Sequence, residues 1–184
     1  MIVRACPWYN DVMLDLVQLI RDVPDFPEPG IVFKDITPLL ANPAGLAMAV
    51  EQMANPFRGK GIEMVVGAES RGFIFGTAIA QALSAGFIPV RKANKLPAAT
   101  RAIEYELEYG SGRLEVHTDA LAAGQRTLIV DDLLATGGTM KACCDLMRQS
   151  GGCIIGITVL IELTFLSGRE KLKPYGDIHA VLKV

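Results

Sequence analysis

The sequence offers little with which to hold a nucleic acid, a membrane or a protein-bound metal cluster. Lys and Arg number 18 against 20 Asp and Glu, so no broad basic surface is available for a phosphate polymer. No apolar run reaches membrane-spanning length, and Pro7, Asn10 and Asp11 interrupt any signal-peptide core after Arg4. The four cysteines (Cys6, Cys143, Cys144 and Cys153) have neither zinc nor redox spacing. They read as reduced packing residues of a cytoplasmic protein, with Cys143 and Cys144 pointing different ways from one predicted helix. His117 and His179 have no partner at catalytic spacing and read as structural. There is no Gly-Lys-Ser/Thr to make a Walker loop and no dinucleotide fingerprint. Internal repeats and low-complexity segments are also missing.

What remains is a chain of 184 residues, 51% apolar, most simply one domain with a real core. Its centre is Thr127 to Thr139. The β-branched run Thr127–Val130 predicts a strand buried on both faces, ending in Asp131 and Asp132. Ala135-Thr136-Gly137-Gly138-Thr139 follows, and then Met140, Cys143, Cys144 and Met147 at helical spacing. A Gly-rich turn lets backbone N–H groups converge without a Cβ in the way, and the next helix adds the positive end of its dipole. Together they suit a phosphate, with hydroxyl donors from Thr136 and Thr139. The aspartates cannot bind phosphate directly. They can accept from sugar hydroxyls or hold a hydrated Mg²⁺ that phosphates share.

Elsewhere the same grammar recurs. Asp11–Asp22 predicts a short amphipathic helix stopped by Pro24. Asp25–Pro38, with three prolines (Pro27, Pro29 and Pro38) and Gly30, must run extended until after Pro38 and carries Phe26, Ile31, Val32, Phe33 and Ile36. Such a segment either packs as an apolar flap or offers free backbone groups and a ring to a planar base. Asn42-Pro43 predicts the N-cap and first residue of a helix to about Met53. Met64–Ala68 predicts a strand that runs into Glu69-Ser70-Arg71-Gly72 and a helix from Phe73 to Ser84, a second anion-binding turn on the same sheet edge. Phe87–Val90 predicts a further strand, followed by the basic cluster Arg91-Lys92-Ala93-Asn94-Lys95. Leu96–Ala102 reads as a mobile loop, and Ile103–Val116 as a hairpin turning at Tyr109–Gly112. Its carboxylates, Glu104, Glu106, Glu108, Glu115 and nearby Asp119, read as mostly solvated. A strand at Ile154–Ile161, and an edge strand or tail at Ile178–Val184, complete a mainly parallel sheet with helices on both faces.

The Thr127–Thr139 stretch resembles the 5-phosphoribosyl-1-pyrophosphate (PRPP) signature of type I phosphoribosyltransferases. The segments Asp25–Pro38, Glu69–Phe73, Arg91–Pro97, Leu107–Gly110 and Gly168–Leu172 resemble the adenine-using branch of that family, in order along the chain. The resemblance implies the type I phosphoribosyltransferase fold: a twisted sheet flanked by helices, an N-terminal hood over about residues 1–38, and a flexible lid and hairpin over about 95–116. It implies purine salvage, in which adenine and PRPP give AMP and pyrophosphate with Mg²⁺, through an oxocarbenium-like transition state in a cytoplasmic homodimer. By position, Ala135, Thr136, Gly137, Gly138 and Thr139 cradle the 5′-phosphate, and Asp131 and Asp132 face the ribose. Ser70, Arg71, Arg91 and Lys95 meet pyrophosphate, with Lys92 a weaker candidate. Phe33 stacks on adenine, whose edge the backbone of Val32 and Lys34 reads. Glu108 transfers the proton on the base, and Arg71 assists the chemistry. Related enzymes for 6-oxopurines carry an acid where this chain has Ala135, which favours adenine. The chain departs from the pattern at Asn94, where Gly is usual, and at Gly112-Arg113, where an acid is usual. Two other readings remain: a non-catalytic PRPP sensor, for which the segment before Asp25 is too short to be a helix-turn-helix domain, and a transferase for xanthine or another base.

Overall fold

The computed structural model describes residues 15–106 and 111–184. The chain divides into two compact units, residues up to Met48 and Ala49–Val184.

In the first unit the described part of the expected Asp11–Asp22 helix, from Asp15 on, holds instead a short 3-10 turn, Leu16–Leu19, and a strand, β1 (Arg21–Pro24), while Asp11–Leu14 lie outside the described residues. Asp15 accepts from the Val17 N–H at 3.0 Å, which starts the turn. The β-branched and proline residues beyond it favour pairing over helix: β1 lies antiparallel to β2 (Val32–Asp35), Val23 opposite Phe33. The link between them turns through Asp25 and Gly30, both at positive φ, with Gly30 N–H donating to the Asp25 carboxylate at 2.7 Å. Helix α1 (Thr37–Ala41) begins one residue before Pro38, not after it. Proline is tolerated in a helix's first turn because the N–H it lacks has no partner there. Helix α2 (Pro43–Ala54) starts as its sequence predicts, Asn42 Oδ1 accepting from Gly45 N–H at 2.9 Å.

The second unit is built on one seven-stranded sheet. Its strands in chain order are β3 (Met64–Ala68), β4 (Gly86–Lys92), β5 (Thr100–Glu106), β6 (Ser111–His117), β7 (Arg126–Leu134), β8 (Cys153–Glu162) and β9 (Asp177–Lys183). Across the sheet they run β5-β6-β4-β3-β7-β8-β9. The five from β4 to β9 are parallel, and β6 and β5 add an antiparallel hairpin to the edge. Helices α3 (Gly72–Leu83), α4 (Gly138–Gln149) and α5 (Gly168–Leu172) lie in the βα connections. Val65, Val66, Leu128, Ile129, Val130, Ile157 and Val159 are all buried, as central parallel strands covered on both faces require. Cys143 and Cys144, both on α4, are buried, whereas Cys153 is exposed rather than packed. Cys6 lies outside the described residues.

Three boundaries differ from expectation. Strand β7 does not stop at the aspartates but continues through Leu134, because Asp131, Leu133 and Leu134 keep their ladder to Val159, Ile161 and Glu162. The loop after the basic cluster ends at Ala99, since Thr100–Ala102 already pair with His117–Glu115. Ser111 and Gly112 belong to β6 rather than to the turn. Among the hairpin acids, expected to be mostly solvated, Glu115 is an exception: it is buried, with Arg113 Nε at 3.0 Å.

Candidate active site

Strands β3 and β7 are neighbours and run parallel, Met64 opposite Thr127 and Gly67 opposite Val130. Their carboxyl ends therefore open on one edge of the sheet, the usual place for a ligand in open α/β sheets. The turns that leave them, Glu69–Arg71 and Ala135–Gly137, line one cavity of about 560 Å³. Asp131, Asp132, Ser70, Arg71 and the whole Ala135–Thr139 run are in its wall.

The cradle is a product of its glycines. Gly137 sits at φ +80° immediately before α4, a conformation other residues rarely adopt. A Cβ there would lie 2.6 Å from the Gly168 carbonyl. In the other direction, a Cβ on Gly168 would strike the Ala135 carbonyl and come within 2.9 Å of the Gly137 N. The loop before α4 and the start of α5 thus abut backbone to backbone. Helix geometry leaves the N–H groups of the first turn of α4 without intrahelical acceptors, and the cavity wall includes Gly138, Thr139 and Met140. Phosphate is the ligand that such an N-terminus favours. Gly168 is part of this construction, yet its sequence context gave it no role. Its signal was the βα position of a glycine opening a short helix.

The two aspartates are held differently. Asp131 Oδ1 accepts from the Asp132 backbone N–H at 2.9 Å and abuts Gly72, where a Cβ would lie 2.9 Å away. Asp132 is 3% exposed. Its Oδ2 lies 3.0 Å from Arg71 Nε, an ion pair without an aligned hydrogen bond, so the oxygen retains capacity for a further donor. Burial, and then the charge of Asp132, push the Asp131 carboxyl well above the usual range. Burial also raises Asp132, against the opposing pull of Arg71. Added positive charge would favour the ionised form of both carboxylates, Asp131 above all. Among the described residues no three His, Cys, Asp or Glu side chains come together as a metal cage. The pair fits Mg²⁺ only in the manner of an ion that keeps its waters and takes its other ligands from phosphates.

The basic cluster is sorted by the sheet. Lys92 lines the cavity, although Arg91 and Lys95 were the stronger candidates by sequence. Arg91 instead points to Glu69, Nε 3.2 Å from Oε2, and its Nη1 reaches the Lys95 carbonyl at 3.4 Å. Alternation along β4 puts adjacent residues on opposite faces, so only one of Arg91 and Lys92 can face inward. The Arg91 hydrogen bond holds the Glu69 carboxyl below its ordinary range. Asn94 adopts φ +62°, the conformation usual for the glycine it replaces. Asn94 and Arg113, the two departures from the family pattern, both meet Glu115. Tyr105 and Leu114 of the hairpin also enter the cavity wall, positions that alternation alone did not single out. Glu108 lies outside the described residues.

In the first unit, Phe33 on β2 packs edge to face with Phe26, ring centres 5.2 Å apart. Val32 is exposed, and the Lys34 ammonium is held by Asp22 at 2.8 Å. His179 bonds the Gln52 carbonyl at 3.0 Å, which agrees with a structural role.

Comparison with known proteins gives the class first: residues 36–181 match the phosphoribosyl transferase domain family. An adenine phosphoribosyltransferase from Acaryochloris marina is 57% identical over 170 residues, 92% of this chain and 99% of the relative. The solved adenine phosphoribosyltransferase of Rhodothermus marinus superposes with a TM-score of 0.88 at 52% identity, covering 92% of this chain and 96% of that one. That of Saccharomyces cerevisiae, solved with an imino-altritol bisphosphate and adenine, gives 0.85 at 38% identity, with coverage of 90% and 96%. The chain belongs to the adenine phosphoribosyltransferases. No helix among the described residues is long and apolar enough to cross a membrane.

Proposed function

We propose that the protein transfers the 5-phosphoribosyl group of PRPP to adenine, giving AMP and pyrophosphate in purine salvage. One observation carries the reading: a single cavity joins a phosphate-suited helix N-terminus, the half-buried Asp131 and buried Asp132, Arg71 and Lys92. The yeast relative solved with adenine and a sugar bisphosphate analogue supports it. In the proposed reaction, N9 of adenine forms a bond to ribose C1 while the C1–O bond to pyrophosphate breaks, its electron pair leaving with pyrophosphate. The ring gains cationic character as the breaking bond lengthens ahead of the forming one, and the base loses its proton to Glu108.

Each group then has a task. The Ala135–Thr139 run holds the 5′-phosphate and so fixes the ribose. Asp131 and Asp132 accept from the ribose hydroxyls and offset the positive charge at C1. Ser70, Arg71 and Lys92, with Arg91 and Lys95 at the start of the lid, take the charge that develops on pyrophosphate. Arg91 would have to exchange Glu69 for the ligand. Asp131 and Asp132 would hold a hydrated Mg²⁺, which would supply charge neutralisation on the leaving group. Phe33, with the backbone of Val32 and Lys34, takes the adenine ring, a reading supported by the extended β2 strand and its resemblance to the family segment. Glu108 takes the proton from the base. A solvated Glu is a poor partner for that proton at neutral pH, so closure would raise its pKa.

The proposal includes a cytoplasmic homodimer. Two buried free thiols, Cys143 and Cys144, agree with a reducing compartment. Light scattering should read twice the 19.8 kDa chain mass, and a monomer mass would overturn the dimer.

The test is AMP formation from purified protein, PRPP and Mg²⁺, with adenine, hypoxanthine, guanine and xanthine offered separately. Turnover with adenine alone is the expected result. Turnover with an oxopurine overturns the base assignment, and PRPP binding without turnover of any base overturns the enzyme. Chelation of Mg²⁺ by EDTA should abolish turnover, with recovery on adding the ion back.

A further inference from the structure

Two buried or half-buried carboxylates grip the backbone on either side of the basic turn. Glu69 Oε2 accepts from the Lys92 N–H at 3.0 Å, with Arg91 as its counter-charge. Glu115 Oε2 accepts from the Asn94 N–H at 3.1 Å, with Arg113 Nε 3.0 Å from its other oxygen. Glu115 is 5% exposed and lies at the centre of three strands, opposite Arg91 on one side and Ala102 on the other. A buried carboxylate needs donors, and here the donors are the left-handed residue of the turn and an arginine from the next face position of its own strand.

We propose that Glu115 is a positioning residue for PRPP: it fixes the Lys92–Asn94 turn so that the Lys92 ammonium meets the pyrophosphate. The proposal rests on the role given to Lys92 above. Glu115 itself is not in the cavity wall, whereas Lys92 and its strand partner Leu114 are. A carboxylate holding the turn from behind lets a flexible lysine act from a fixed root. It also keeps one end of the lid loop anchored in the same register as the hairpin that follows the loop. Removing the charge frees the turn, and the cost falls on PRPP binding, not on adenine.

The experiment is steady-state kinetics of AMP formation for Glu115→Gln, Lys92→Ala and the double variant, with melting curves to verify folding. Glu115→Gln keeps the shape but presents an amide N–H₂ either to Arg113 or to the Asn94 N–H. It should raise the PRPP KM roughly tenfold, the scale of one charged hydrogen bond. The turnover number and the adenine KM should stay within about twofold of wild type, and the change should be far smaller in the Lys92→Ala background. Arg113→Gln, at a half-exposed side chain, carries the same test if the Glu115 variant does not fold, with a smaller shift in the same direction. An unchanged PRPP KM, a parallel loss of all parameters, or effects that simply add with Lys92→Ala would overturn the proposal. If Lys92→Ala alone leaves the PRPP KM unchanged, the fault lies in the role of Lys92, and the proposal falls with it. A wild-type protein that makes no AMP sinks the enzyme reading instead.

Discussion

Gly137→Ala is the most exposing single change. The new Cβ would lie 2.6 Å from the Gly168 carbonyl, about 0.8 Å short of ordinary contact, and its obstacle is backbone that cannot swing aside. A further cost comes from φ +80°, about 1–2 kcal/mol for an L-residue. Overpacking adds about 1–3 kcal/mol, so the total lies near 3 kcal/mol. For a chain of this size that lowers the melting temperature by roughly 6–12 °C. Relief of the clash moves the cradle by a large fraction of an ångström, and a 1 Å misplacement can cost about 10²-fold in rate. The assay is AMP formation with PRPP varied at saturating adenine, beside thermal unfolding. Gly124→Ala is the control: Gly124 has φ +79° with nothing near its absent Cβ. It should lose the conformational part of the stability and none of the PRPP affinity. If Gly137→Ala matches Gly124→Ala in both measurements, the abutment with Gly168 does not hold the cradle.

Three further outcomes are expected. Burial raises the Asp131 carboxyl, so the native state holds its proton to higher pH than the unfolded chain, and the residue's cost to stability grows as pH rises through that interval. Asp131→Asn should therefore raise the neutral-pH melting temperature while impairing turnover, and its stabilisation should vanish below about pH 4. The opposite sign applies at Glu162, held below its ordinary range by the Arg169 hydrogen bonds, which include Nη2 to Oε2 at 2.5 Å. Arg169→Met should cost about 3 kcal/mol at neutral pH by stranding that buried charge, and urea unfolding should show the loss shrinking as acid protonates Glu162. Glu108→Ala should lose much more turnover than PRPP affinity, and equal losses would refute its role as the proton-transfer group.

Much of this was legible in the sequence because strand-to-turn-to-helix order is local. The β7–α4 cradle, the Glu69–Arg71 turn and the Asn42 cap all follow from residues within a few positions of one another. What was not legible depends on partners far along the chain. That β7 runs on past its aspartates is decided by the β8 ladder. That Lys92 rather than Arg91 faces the cavity is decided by the phase of β4 within the sheet. Helix periodicity in Asp11–Asp22 lost to pairing with β2, a strand ten residues away. Glu115 was not told apart from the mostly solvated acids around it, because nothing near it announces that Asn94 will turn back to it.

The contact between Gly137 and Gly168 also links ligand occupancy to a segment the ligand does not touch. Opening of Gly168–Leu172 releases the backbone that braces the cradle, so the conformer that exchanges its amides binds PRPP poorly. Saturating PRPP should then slow hydrogen exchange in that helix by about the ratio of ligand concentration to Kd. The amides of α5 would serve as a built-in gauge of how full the phosphate cradle is.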